Sequence, residues 1–172
     1  MVDKLGTAEL KSGEQMDIFR VLPPEPEWAD RILPFLGHKS QPWQWQMHVA
    51  FDEGLPGANQ FFYAGVVDGE DVGNIMIVEA MERPIGILGH VFTPEEQRRK
   101  GICSRLMQAV TDDFRARDGR ALFLHTGYDS PPYHIYESWG FEGYRDTGTM
   151  AWVLDPDFWS DHFAARPVEV RE

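Results

Sequence analysis

The sequence predicts an α+β fold built from an antiparallel meander and one strand–helix–strand crossover, and two observations carry this. Three strand-like runs, Phe61 to Val67, Asn74 to Ala80 and Ile85 to Phe92, follow one another, the first two parted by the polar turn Asp68-Gly69-Glu70-Asp71. Behind them Ile102, Leu106, Val110 and Phe114 recur every four residues as one apolar helical stripe, and the short apolar run Ala121 to His125 follows.

Taken in order, Met1 to Gln15 is polar, and an extended segment around Ile18 to Leu22 ends at Pro23-Pro24. Trp28, Ile32, Phe35 and Leu36 then repeat at helical spacing. Gln41 to Phe51 carries Trp43, Trp45, Met47, His48 and Phe51 in a mixed pattern, and Gly54, Pro56 and Gly57 terminate any helix there. The main helix closes with Arg115 and Arg117 in its last turn, favourable to its dipole, and with Gly119 beyond. Pro131 and Pro132 open a short helical stretch ending at Trp139-Gly140, and Thr149 to Leu154 reads as the closing strand. Residues 1–156 read as one domain and 157–172 as a C-terminal tail or linker. The tail Pro167 to Glu172 alternates apolar and charged residues like the opening of a strand, either an edge strand or frayed end, or the lead into a second related domain.

With 172 residues, 42% hydrophobic, and with 6 Trp, 11 Phe and 5 Tyr to bury, the chain suits one compact domain and excludes wholesale disorder. Sixteen Lys and Arg against 28 Asp and Glu give a net charge of −12, which repels nucleic-acid phosphates and anionic lipid. Such a field favours cationic small molecules near a cleft, or serves only solubility. The single Cys103 forbids an internal disulfide, and no Cys/His cluster has zinc-site spacing, so a reducing, cytoplasmic setting without a metal is expected. No apolar run has the length of a membrane span, and no signal peptide is visible.

The chemistry concentrates where the third strand meets the main helix, Thr93 to Ser104. Main-chain N–H groups at a helix start lack intrahelical partners, Arg98, Arg99 and Lys100 add charge, and Gly101 lets the backbone approach a phosphate with no Cβ in the way. A pyrophosphate is the natural guest; a solvated basic turn is the plainer reading of the same residues.

Arg98-Arg99-Lys100-Gly101-Ile102-Cys103 resembles the signature of the GNAT superfamily of acyl-coenzyme A dependent N-acyltransferases: Gln or Arg, two residues, Gly, one residue, then Gly or Ala. Cys103 departs from the pattern but is small and apolar. Val91-Phe92-Thr93-Pro94 is similar to the family's preceding strand end, and Tyr136-Glu-Ser-Trp-Gly140-Phe141 to its Tyr-x-x-x-Gly-Phe near the end of the domain. For Tyr136 alone, a packed amphipathic residue would be the default.

The resemblance implies a layered, mostly antiparallel twisted sheet flanked by helices, in which the strand ending near Val91 splays from the strand beginning near Ala121. It implies acetyl-CoA as co-substrate, its pyrophosphate at Arg98, Arg99, Lys100, Gly101, Cys103 and Ser104, and main-chain groups around Val91 and Thr93 on the pantetheine and acyl carbonyl. The implied reaction is N-acetyl or short-acyl transfer by direct attack of a small-molecule amine in a ternary complex. Tyr136 is the implied acid for the leaving thiolate, with Tyr133 in reserve. A non-catalytic acyl-CoA sensor, or one half of a tandem GNAT protein, is the alternative. The general base is not named: His90 comes first, then His125, with Glu79 in the neighbouring strand, and each reads equally as a structural residue. Trp43, Trp45, His48 and Phe51 fall where the family's early helices build the acceptor site, or pack the core. A small aromatic or aliphatic amine, an amino acid derivative or a cationic antibiotic would suit an acidic rim with such a pocket, and a homodimer stays open.

Overall fold

The computed structural model describes residues 1–82 and 84–164. Strand β1 (Val2–Glu9) turns into β2 (Gln15–Val21), and α1 (Pro26–Phe35) and α2 (Gln41–Glu53) follow. The meander comes next as β3 (Ala58–Val67), β4 (Glu70–Ala80) and β5 (Ile85–Phe92). A 3₁₀ turn at Glu95–Gln97 leads into α3 (Ile102–Ala116), then β6 (Ala121–His125), α4 (Pro131–Ser138), β7 (Glu142–Gly143), β8 (Thr149–Val153) and α5 (Phe158–Phe163). The eight strands form one sheet in the order β1-β2-β3-β4-β5-β6-β8-β7, antiparallel except for the β5–β6 pair that flanks the α3 crossover. Among the described residues no helix is long and apolar enough to cross a membrane.

β3 and β4 are buried on both faces, so their sequences run as nearly unbroken apolar stretches rather than alternating ones. On one face Ile75, Ile77 and Leu88 meet the α3 stripe of Ile102, Leu106, Val110 and Phe114, together with Tyr133 and Tyr136 of α4. On the other, Phe62 and Met76 meet Ile32 of α1 and Met47 and Phe51 of α2. Gly73 sits under α3, where an added Cβ would come within 2.5 Å of Ile102; the helix start is thereby drawn onto the sheet.

Three elements depart from the sequence expectation. β1 is a mostly exposed edge strand, so its residues lack the alternation that marks a half-buried strand. β7 has only two residues. The stretch after β8, expected as tail or linker, holds α5, whose Phe158 is buried and whose Asp161, with Asp155 before it, pairs with Arg120. A turn and a half with a single buried residue is too short to show helical periodicity. The segment Pro167 to Glu172 lies outside the described residues.

Glu79, a candidate base from sequence, is engaged elsewhere. Arg117 at the end of α3 pairs with Glu79 and, through Nε at 3.0 Å, with Asp113, whose other carboxylate oxygen accepts from Arg20 at 2.6 Å. The Tyr63 hydroxyl donates to Asp113 at 2.6 Å and accepts from Arg117 at 3.2 Å. The Arg117 guanidinium also lies 4.4 Å over the Phe61 ring. Burial opposes the Arg117 charge, but Tyr63, Glu79 and Asp113 outweigh it and hold its pKa above the ordinary value. Arg117→Met leaves buried Glu79 without its cation and strips Asp113 of one of its two; it is expected to cost about 3–5 kcal/mol, read as a lower urea midpoint at unchanged slope.

Candidate functional site

β5 and β6 pair only through Ile85, Gly86 and Ile87 with Ala121, Leu122 and Phe123. Beyond Ile87 the two strands part, and the β5 edge from Leu88 to Phe92 has no ladder partner on the β6 side. The expected splay is therefore present, and it opens toward the N-terminus of α3.

A bulge shapes the same stretch. Asn74 pairs with Phe92 while Met76 pairs with Gly89, so His90 and Val91 together face Ile75. His90 takes φ +47°, a left-handed value uncommon away from glycine, and the Asn74 side-chain amide donates to its carbonyl at 3.1 Å. The extra residue breaks the alternation. Val91 packs with the α3-side core, whereas the His90 ring lies edge-on to Trp43 of α2 at 5.4 Å.

At the head of α3, Gly101 is the N-cap with φ +90°, and Arg99 before it has φ +66°. Among the described residues the N–H groups from Arg99 through Ser104 donate to no backbone acceptor; the first helical bond is Arg105 N–H to Gly101 carbonyl at 3.0 Å. Six consecutive amides without a backbone acceptor, beside left-handed residues and at the positive end of the dipole of a 15-residue helix, make a nest of the geometry that suits an anion. Arg98 and Arg99 are exposed; Arg98 Nε donates to the Thr93 carbonyl at 3.3 Å. Lys100 is held by Glu14 at 3.2 Å, and its carbonyl accepts from the Lys11 N–H at 2.9 Å. The β1–β2 hairpin thus braces the loop and brings the Lys11 stem against Gly101. Sequence reasoning misses Lys11, because its approach depends on an edge hairpin that has no periodic signal.

Tyr136 is buried beside the start of α3. Burial, with a smaller contribution from Cys103, pushes its pKa up to about 12. Burial likewise pushes the Cys103 thiol up. Tyr133 points elsewhere: a Cβ on Gly143 would fall 1.8 Å from its hydroxyl, so the phenol abuts β7. Of the two tyrosines, Tyr136 alone adjoins the nest.

Burial, then the charges of Lys39 and His38, lower the His90 pKa to about 4. The ring is neutral near pH 7, and its Nε2 is buried without a hydrogen-bond partner. Such a group makes a weak base but a ready hydrogen-bond partner. His125 ends β6 at the open side of the splay, exposed, with Nδ1 3.4 Å from the Thr149 hydroxyl. The early aromatics divide. Trp43 faces His90, Trp45 and His48 face solvent, and Phe51 stacks on Phe62 in the core at 5.2 Å. Among the described residues no group of three or more His, Cys, Asp and Glu side chains is placed to hold a metal.

The FR47-like protein family matches residues 63–153, just over half of the chain, from the centre of β3 to the end of β8. The chain belongs to this family and to the GNAT superfamily. Solved GNAT structures share the fold at low identity. The GNAT domain of S. lividans PAT superposes with a TM-score of 0.62 at 11% identity, covering 87% of this chain and 96% of that one. A GNAT family acetyltransferase from Brucella melitensis in complex with acetyl-CoA gives 0.59 at 18%, covering 82% and 89%. PaiA N-acetyltransferase from Thermoplasma acidophilum in complex with coenzyme A gives 0.57 at 14%, covering 81% and 99%. No curated protein matches the chain.

Proposed function

We propose that this GNAT protein transfers an acetyl or other short acyl group from acyl-CoA to the amine of a small molecule, by direct attack in a ternary complex. The observation that carries the reading is the alignment of the β5/β6 splay with the free-amide nest of Arg99 to Ser104 and with the buried Tyr136. Pyrophosphate oxygens accept from those amides, while Arg98 and Arg99 supply charge. The unpaired β5 edge around Val91 receives the pantetheine and aims donors at the acyl carbonyl, where negative charge develops. Tyr136 holds its proton well above neutral pH and delivers it to the departing thiolate.

The amine must lose a proton before attack, since an alkylammonium has a pKa of about 10. His90 binds a proton too weakly for that step. We assign the amine proton to water at the open mouth of the splay, with exposed His125 as the side chain placed to receive it.

The test is thiol release from acetyl-CoA across a panel of small amines, monitored by a thiol reagent, together with calorimetric titration of acetyl-CoA. Release dependent on one class of amine supports transfer. Saturable binding with no release on any amine supports the sensor reading instead, and absence of binding refutes both.

A further inference from the structure

Beside the splay, one face of the sheet is left partly bare. Ile87 of β5 pairs with Val78 of β4, and Val78 packs against the α1/α2 core, so Ile87 and its β6 partner Phe123 lie on the α1/α2 face. Those two helices leave Ile87 60% exposed. Phe123 pairs in turn with Ala151, and His125 with Thr149, which carries the same face on to β8. Across it stands α5. Its Phe158 is buried against Phe123, its Trp159 ring meets Phe123 edge-on at 6.0 Å, and its Phe163 stacks on Trp159 at 5.9 Å.

Between α5 and this floor lies a cavity of about 560 Å³, walled by Phe123, Tyr144, Ala151, Trp159 and Phe163, a volume usual for a small-molecule site. Tyr144, Trp159 and Phe163 are exposed together around one cavity, not scattered over the surface. Two contacts tie the cavity to the acyl centre. Phe123 belongs to the last rung before β5 and β6 part, and Thr149, also on the lining, lies 3.4 Å from Nδ1 of His125. Resting on the acyl-transfer reading, we propose that this cavity seats the acceptor, an amine that bears an aromatic ring on a short chain and no carboxylate. The ring lies among Phe123, Trp159 and Phe163. A short chain suffices because Phe123 borders both the cavity and the splay. Glu142 is the one charged side chain on the lining among the described residues, so a carboxylate there would find no cation and would meet a like charge. His125 lies on the same face to take up the amine proton. The aromatic wall thus comes from α5 and not from Trp45 and His48 of α2, which face solvent.

The experiment titrates the coenzyme A-saturated protein by calorimetry with product analogues, which need no turnover. N-acetyl-2-phenylethylamine is compared with its carboxylated counterpart N-acetylphenylalanine and with aliphatic N-butylacetamide. The first is expected to bind about 10-fold more tightly than either of the others. Trp159→Ala should weaken it about 10-fold and Trp159→Phe much less, with coenzyme A affinity unchanged in both. Trp159 is 45% exposed, so neither substitution empties the core. Equal binding of the carboxylated analogue, failure of the aromatic one to bind, or binding indifferent to Trp159→Ala overturns the proposal. So does a Trp159→Ala variant that loses a dimer in sedimentation while analogue binding persists, which would give the cavity to a second copy. Thiol release on other amines, unchanged by Trp159→Ala, would keep the transfer reading and overturn this pocket. Trp159-dependent binding with no thiol release from acetyl-CoA on 2-phenylethylamine would keep the ring site and refute the transfer on which its acceptor role rests.

Discussion

Tyr136→Phe is expected to lower kcat by about 10²- to 10⁴-fold, the scale of a lost general acid, with little change in coenzyme affinity. The phenol is buried, and burial with the neighbouring Cys103 lifts its pKa to about 12, so it is protonated at neutral pH and well above it. A fall in rate between neutral pH and pH 10 would accordingly not be titration of this group. Tyr133→Phe supplies the contrast. Its hydroxyl abuts Gly143 in β7, so its loss should leave kcat near wild type. Steady-state rates at saturating acetyl-CoA check both variants. A near wild-type kcat for Tyr136→Phe, with chemistry rate-limiting, would pass the proton donation to water.

Gly101→Val is expected to weaken acetyl-CoA binding by about 10- to 100-fold. An added Cβ would meet only the Lys11 side chain at 3.5 Å, so space is not the obstacle. The obstacle is φ +90°, a left-handed value that a β-branched residue adopts at a cost of about 1–3 kcal/mol. The loop then leaves the nest conformation for most of the time, and apparent affinity falls by the fraction that remains competent. Arg98→Ala should act less strongly and through KM, because a phosphate contact is equally present before and during the reaction. Equilibrium titration of both variants against wild type reads the order, and equal affinities in all three would place the pyrophosphate elsewhere.

The legible parts of the fold are those whose side chains repeat with a period. The α3 stripe, the Asp68–Asp71 turn and the apolar run of β6 lie in sequence where the structure puts them, to within a residue or a few. β1, β7 and α5 are an edge strand, a two-residue strand and a single turn and a half, and each owes its form to a neighbour rather than to its own pattern. The site divides the same way. Gly101 and its flanking cations stand out because a phosphate nest is a contiguous stretch of chain. The splay and the bulge become visible only once β4, β5 and β6 are paired, since one extra residue at His90 sends its ring to the α2 face instead of the α3 face. Glu79 looked available because its partner Arg117 lies 38 residues away.

The most direct measurement is a calorimetric titration of the wild-type protein with acetyl-CoA, repeated with Gly101→Val. One saturable site per chain, weakened about 10- to 100-fold by the substitution, is the predicted result. No binding to the wild-type chain, or binding indifferent to Gly101, would contradict the assignment of the Arg99–Ser104 nest as the seat of an acyl-CoA.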